Sequence, residues 1–246
     1  MDTSSRMTGL CVLRNGEVVK RLNEPFDEKR SEKLWIAMEG LLCDVGLTLR
    51  DVDLFAVCVG PGGFTGLRVG VAAAKGLAVA AGKPMVGVTS LEAAAASGAG
   101  DLPVVALVNA YKREVYSQLF SFDGEGALVA ENEPLVSTFR VALDRVKHVK
   151  KLMFVGDAAI ENDKEIRRLA REIGDDGNSQ FRAWATKGSD SSSVEAIARL
   201  ALSRYLKGGA RPPEHIAACY VRPAEAEIKL AQGLLGSKIE RSRRKS

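Results

Sequence analysis

The run Gly60-Pro61-Gly62-Gly63-Phe64-Thr65-Gly66-Leu67-Arg68 sets four glycines and a proline between an apolar segment, Leu54 to Val59, and an alanine-rich one, Leu67 to Ala81. A strand feeding a glycine turn that opens a helix leaves the first helical N–H groups without intrahelical acceptors, pointing outward. Glycine lets the backbone turn sharply and come close to another group. That group is a phosphate, a partner's backbone or the chain's own neighbouring strand, and tight strand–helix packing is the favoured reading. An anion bound here would touch Gly60, Gly62, Gly63, Thr65, Gly66 and Arg68. The nucleotide motifs do not fit. A P-loop closes on Gly-Lys-Ser/Thr, whereas Leu67 and Arg68 follow Gly66, and a dinucleotide turn needs a third glycine where Thr65 stands.

Other reactive residues are scattered. The two histidines, His148 and His215, lie far apart, and no Cys/His pair has metal-ligand spacing. No Gly-x-Ser-x-Gly elbow is present. No metal centre and no catalytic residue are therefore expected. Cys11, Cys43, Cys58 and Cys219 read as buried thiols of a reducing compartment. Asp2, before Thr3-Ser4-Ser5, and Asp157, after Val155-Gly156, are the acids that an ATP-using enzyme would turn on magnesium. Arg113, in the charged turn Asn109 to Tyr116, is a candidate for binding a carboxylate or phosphate.

The elements that would position these residues follow from periodicity. Cys11-Val12-Leu13 and Val18-Val19 flank Asn15-Gly16, a two-residue hairpin turn. Leu34, Met38, Leu41, Leu42 and Val45 form one apolar stripe on a helix ending at Gly46. Leu54–Val59 is a buried strand, Leu67–Ala81 a helix stopped by Gly82-Lys83-Pro84, and Met85–Val88 a strand followed by a helix from Thr89 or Ser90. Ser97 to Asp101 is the candidate boundary. Beyond it, strands are expected at Val104–Val108, Val115–Phe122 and Ala127–Val136. A helix runs from Thr138 to about Val146, a strand spans Leu152–Val155, and Ile160–Ile173 is helical. Gly174 to Ser192 reads as irregular, and Val194–Leu206 as a helix. The order repeats, hairpin then helix–strand–helix, which implies an α/β protein with two mixed sheets. The lobes are expected at 1–100 and 101–224, with a basic tail at 225–246.

With 246 residues, 46% hydrophobic and 27% charged, the chain has the composition of an ordinary globule. The net charge of +4 comes from the last ten residues, where Lys238, Arg241, Arg243, Arg244 and Lys245 face only Glu240. This tail is expected to be disordered, with a weak attraction to RNA as the alternative. Val69–Ala81 is interrupted by Lys75 and Gly76 and falls short of the roughly 20 apolar residues that cross a bilayer. Met1 to Arg6 lacks the apolar core of a signal peptide, so a cytoplasmic protein with no membrane contact is expected. The Leu67–Ala81 helix carries small residues on nearly every face. It is either an internal helix against its own sheet or a flat docking face for another subunit.

Several of these motifs, in order, resemble the TsaB (YeaZ) family, the dimerisation subunit of the bacterial threonylcarbamoyladenosine tRNA-modification machinery. Gly60 to Gly70 is similar to that family's GPGSFTGLRIG signature, Ala74-Lys75-Gly76-Leu77-Ala78 to AKGLA, and Val86 to Glu92 to VGVSSLE. Asp2-Thr3-Ser4 resembles its DTS, Lys112 to Tyr116 its RGEVY, and Tyr220-Val221-Arg222-Pro223 its YLRP. The resemblance implies a two-lobed actin-like (ASKHA, ribonuclease-H-like) fold whose first strand precedes Asp2 and is truncated here. It implies a non-catalytic subunit that dimerises with the catalytic TsaD and is joined by the ATPase TsaE. The product is threonylcarbamoylated adenosine 37 in tRNAs that read codons beginning with adenine. The tRNA would be met through the complex, ATP or ADP would bind only in the assembled complex, and a homodimer would form when TsaD is absent. The implied partner interface is Leu34, Met38, Leu41, Leu42, Gly70, Ala73, Ala74 and Leu77. Departures are Gly63 for serine, and Asn109-Ala110-Tyr111-Lys112-Arg113-Glu114 for the Asp-Ala-Arg-Arg-Gly-Glu turn, which loses an acid and a glycine. The alternative is an autonomous actin-like ATP-binding enzyme or kinase using Asp2, Asp157 and the glycine turn. A metallopeptidase, suggested only by old labels in the wider family, lacks ligands.

Overall fold

The computed structural model describes residues 1–25, 31–98, 102–110, 113–149, 151–175, 182–185 and 193–222. In the first lobe, β1 (Met7–Arg14) and β2 (Glu17–Pro25) pair antiparallel. Asn15 and Gly16 take left-handed φ values of 55° and 83°, as a two-residue hairpin turn requires. Next come α1 (Ser31–Cys43), β3 (Phe55–Gly60), α2 (Phe64–Ala81), β4 (Met85–Thr89) and α3 (Ser90–Ala95), with β4 parallel to β3. Thr89 starts α3 with a capping box: its hydroxyl accepts from Glu92 N, and its own N–H donates to the Glu92 carboxylate.

The second lobe repeats the order with β5 (Val104–Asn109), β6 (Glu114–Phe122), β7 (Leu128–Ala130), β8 (Leu135–Thr138), α4 (Phe139–Asp144), β9 (Lys151–Val155), α5 (Asp157–Glu161), α6 (Asp163–Asp175), β10 (Arg182–Ala185) and α7 (Ser193–Leu206). Its sheet runs β10-β9-β5-β6-β7, with β8 also on β6. The central β5 is parallel to β9 and antiparallel to β6. Hairpin, helix, strand, helix, strand, helix occurs twice: this is the two-lobed actin-like α/β architecture.

Three local expectations are corrected. The strand expected over Ala127–Val136 is two strands. Asn132 interrupts them, its side chain accepting from Leu119 N and its carbonyl from Gln118 Nε2. The helix expected over Ile160–Ile173 begins earlier and is broken at Asn162, whose Nδ2 donates to Ala158 O at 2.7 Å. The segment 174–192, expected to be irregular, contains β10, an edge strand parallel to β9; its short Arg-Ala-Trp-Ala run gives little periodic signal. The basic tail, expected at 225–246, lies outside the described residues.

Alternation along β3 divides the first lobe's core in two. Phe55, Val57 and Val59 face Leu34, Leu41, Leu67, Ala74 and Leu77 of α1 and α2. Cys58, with Val86 and Val88 of β4, faces Ile197 and Ala201 of α7. Thus α7, expected in the second lobe, packs beneath β1, β3 and β4 of the first, because its apolar face (Val194, Ile197, Ala201) supplies the layer that those strands need on that side. By length and composition α2 alone among the described helices is apolar enough to cross a membrane. Seven of its residues are buried in this core instead, each large apolar one contributing roughly 1.5–3 kcal/mol. It ends at Gly82 (φ 65°), whose N–H donates to Val79 O while Lys83 N donates to Ala78 O, satisfying the last carbonyls.

Candidate functional site

The glycine turn closes on the chain's own first residues. Gly63 N donates to Ser4 O at 2.7 Å, and a Cβ on Gly62 would stand 2.4 Å from that same oxygen. Thr3 Oγ1 donates to Gly66 O at 2.7 Å, and a Cβ on Gly70 would meet this hydroxyl at 2.0 Å. Gly60 (φ 101°) has no room for a side chain between Leu67 and Cys219 O. Ser90 Oγ donates to Pro61 O, fixing the turn from the other side. Gly60, Gly62 and Gly70 are therefore required by close approach within this protein. Gly63 caps α2 without a side-chain hydrogen bond.

Asp2, buried, accepts three hydrogen bonds from its own chain. Oδ1 accepts from Ser4 N (2.9 Å) and Ser4 Oγ (2.7 Å), and Oδ2 from Ser193 Oγ (2.6 Å). Cys58 Sγ donates to Ser4 Oγ at 3.3 Å, and burial pushes its thiol far above the usual range. Asp157 stands on the second lobe, accepting from Asn109 N, Asn109 Nδ2 and Ala158 N; burial outweighs these bonds and raises its carboxyl. Tyr111 and Lys112 lie outside the described residues, and Arg113 takes a left-handed φ of 64°. Among the described residues, no three His, Cys, Asp or Glu side chains gather where one ion could be held. The four cysteines are free thiols, Cys43 exposed and Cys58 buried.

Arg68 leaves the turn along the surface. Its guanidinium lies 3.7 Å from the centroid of the Phe64 ring, and its Nε donates to Tyr220 Oη at 3.1 Å. The Phe64 and Tyr220 rings lie 5.4 Å apart. Cation and rings so arranged attract one another. Thr65 is exposed beside them. Lys75 Nζ donates to Ile216 O at 2.9 Å, holding the return segment on α2.

The interface residues expected from the sequence fall mostly inward. Leu34, Leu41, Gly70, Ala74 and Leu77 are buried in the first lobe's core, and Met38, Leu42 and Ala73 are half-buried. The outward face of the same helices carries Trp35 (47% exposed), Ile36 (69%) and Val79 (68%). Trp35 lies over Gly76, linking α1 to α2. Sequence reasoning passed over these three because it followed the stripe. The available signal was large apolar residues one or two positions off the buried ones, which the core cannot use. Ser193 was also missed, and Tyr220 was read only as part of a late motif, since their partners are distant in sequence.

The architecture defines a two-lobed actin-like protein, and solved structures share it. The crystal structure of a Pseudomonas aeruginosa protein similar to the peptidase YeaZ superposes with a TM-score of 0.70 at 24% identity, covering 90% of this chain and 97% of that one. The family model for TsaD, tRNA N6-adenosine threonylcarbamoyltransferase, matches residues 25–226, so the chain belongs to that family, within its TsaB (YeaZ) group. The TsaB protein of Bacillus subtilis is 32% identical over 123 residues, 50% of this chain and 54% of that protein. A threonylcarbamoyltransferase of Thermodesulfovibrio yellowstonii is 30% identical over 148 residues, 54% of this chain and 42% of that one. The chain thus spans about half the length of the curated relatives it matches.

Proposed function

We propose that this chain is the non-catalytic subunit of a cytoplasmic tRNA threonylcarbamoyladenosine machine, dimerising with a TsaD-type transferase and recruiting TsaE. The observation that carries this reading is the outward face of α1 and α2. Ile36 and Val79 are each about two-thirds exposed, and the half-exposed Trp35 lies over Gly76. Large apolar side chains left in water on adjacent helices suit a protein interface. The stripe residues that sequence patterning offered as contacts act as support, because they pack the helices onto β3 and hold that face rigid.

The structural engagement of Asp2 supports a partner role over an enzymatic one. A buried carboxylate that already accepts three bonds from its own chain keeps only about one of its roughly four acceptor sites for magnesium. ATP or ADP is then handled only in the assembled complex, and tRNA is met through it.

The test is reconstitution. The purified chain alone gives no threonylcarbamoyl transfer, and mixed with TsaD, TsaE, threonylcarbamoyl-adenylate and tRNA it restores modification. Transfer at the same rate without this chain refutes the reading. Micromolar binding of magnesium-ATP to the isolated chain would favour the autonomous enzyme instead.

A further inference from the structure

We propose that Arg68 is a pre-set guanidinium fork that captures an aspartate or glutamate side chain of the protein partner. It is the polar anchor of the surface whose apolar part is Trp35, Ile36 and Val79. The inference rests on the partner reading above and adds the chemistry by which one end of that surface is recognised.

Three segments build the fork. Phe64 opens α2, and the bond from Gly63 N to Ser4 O fixes the backbone just before it. Arg68 follows one helical turn later, so its guanidinium reaches back over the Phe64 ring, 3.7 Å from the centroid. Tyr220 arrives from the return segment, and its Oη accepts from Arg68 Nε at 3.1 Å. That segment is tied down on both sides of Tyr220. Cys219 N donates to Val59 O at 2.6 Å, and Arg222 pairs with Glu114 of β6. The guanidinium is thus held by a ring against its face and a phenol at its side. Its rotamers are restricted before any partner arrives, which lowers the entropy lost on binding.

What remains free defines the ligand. The bond from Nε to Tyr220 closes the side-on approach to the guanidinium. Among the described residues Nη1 and Nη2 have no acceptor, and the side chain is exposed. Two parallel N–H donors at the end of a plane match the two oxygens of a carboxylate. Other arginines of the chain differ. Arg199, Arg204 and Arg222 each pair with a carboxylate of this protein, whereas Arg68 is held by a neutral phenol and a ring and keeps its fork open.

Position selects a protein carboxylate over a nucleic-acid phosphate. Arg68 and Val79 are eleven residues apart on α2, which puts them within about 20° of one face and about 16 Å apart along the axis. The only other cation of α2, Lys75, has its Nζ engaged by Ile216 O and Glu214 O. A grip on a phosphate backbone draws on several cations along one face. One fork at the edge of an apolar face, flanked by aromatic rings, is the arrangement of a protein interface. Phe64 and Tyr220 are 39% and 46% exposed, so their rims would screen the ion pair from water and strengthen it.

The test measures the affinity of the whole chain for a TsaD-type protein. Arg68→Gln weakens binding at least about tenfold. It also removes most of the salt dependence between about 0.05 and 0.5 M, with a melting temperature within about 4 °C of the parent. Arg68→Lys keeps the charge without the fork and stays at least about threefold weaker than the parent. Among single Asp→Lys and Glu→Lys variants of the partner, one restores binding to the Arg68→Glu chain. Parental affinity of Arg68→Gln, where Ile36→Glu abolishes binding, overturns the fork and leaves the partner reading standing. Parental affinity of both variants overturns both. A partner scan that finds no restoring variant also overturns the fork. So does an Arg68→Gln complex that keeps its affinity between proteins but loses affinity for tRNA, which assigns the fork to a phosphate. A melting temperature lowered by more than about 10 °C assigns Arg68 to the fold and overturns the proposal as well.

Discussion

Ser193 Oγ donates to Asp2 Oδ2 at 2.6 Å, although 191 positions separate the two residues. The bond ties the chain's first turn to the start of α7, the helix that returns from the second lobe to cover the first. Asp2 is therefore a structural acceptor first. Asp2→Ala strands the Ser4 N–H and two hydroxyls in a buried site, at about 3 kcal/mol, since bonds to a charged acceptor contribute roughly 1.5–3 kcal/mol. Ser193→Ala removes one donor and costs about half as much. Denaturant unfolding checks this; an Asp2→Ala protein as stable as the parent shows that the carboxylate is not serving the fold.

Glycines that look alike in sequence are predicted to differ sharply. At Gly70 an added Cβ would meet Thr3 Oγ1 at 2.0 Å, whereas at Gly76 it would meet the Trp35 ring at 3.7 Å, an ordinary contact. Gly70→Ala must displace a buried hydroxyl already bonded to Gly66 O and should destabilise by about 1–3 kcal/mol. Gly76→Ala should stabilise by roughly 0.5–1 kcal/mol through helix propensity. Thermal melting of the two variants should move in opposite directions; a shift in the same direction contradicts the packing described.

Much of the first lobe was legible because its signals are local. Asn15-Gly16 fixes the hairpin, Gly82 ends α2, and Thr89 with Glu92 starts α3 through contacts within a few residues. The duplicated order could be read because each strand and helix announces its own period. What escaped depended on distant partners. The Leu34–Val45 stripe is read correctly as apolar, yet a stripe cannot say whether it meets its own sheet or another protein. Here β3 takes it, and the outward face falls to Trp35, Ile36 and Val79. The glycine turn likewise announced a close approach without naming Ser4 as its partner. The course of α7 had no local signal, since a helix carries no mark of which sheet it will cover.

The inward and outward faces of α1 and α2 separate stability from association. Ile36→Glu and Val79→Glu place charge at exposed positions, so melting should change little, within about 0.5 kcal/mol. Binding to a TsaD-type partner should drop at least tenfold, as expected when charge enters an apolar interface. Ala74→Arg, at a site 1% exposed, should unfold the first lobe and so abolish binding for an unrelated reason. Circular dichroism alongside co-purification distinguishes them. Charged Ile36 and Val79 variants that still bind with parental affinity would place the interface elsewhere.

A chain whose first residue is Met1 should also show a pH signature of its buried amine. Burial lowers this amine, and Asp2, Cys11 of β1 and Cys58 of β3 only partly oppose the shift. The unfolded chain then binds the proton more tightly, up to its own value near about 8. Stability is therefore full above that pH and falls as the pH drops toward the lowered folded value. Asp157, whose carboxyl is raised by burial, produces the opposite slope only at the acid end of the scale. Melting temperatures measured from about pH 6.5 to 8.5 should rise with pH, and acetylating the Met1 nitrogen should flatten the rise. An unchanged slope after acetylation would assign it to another group.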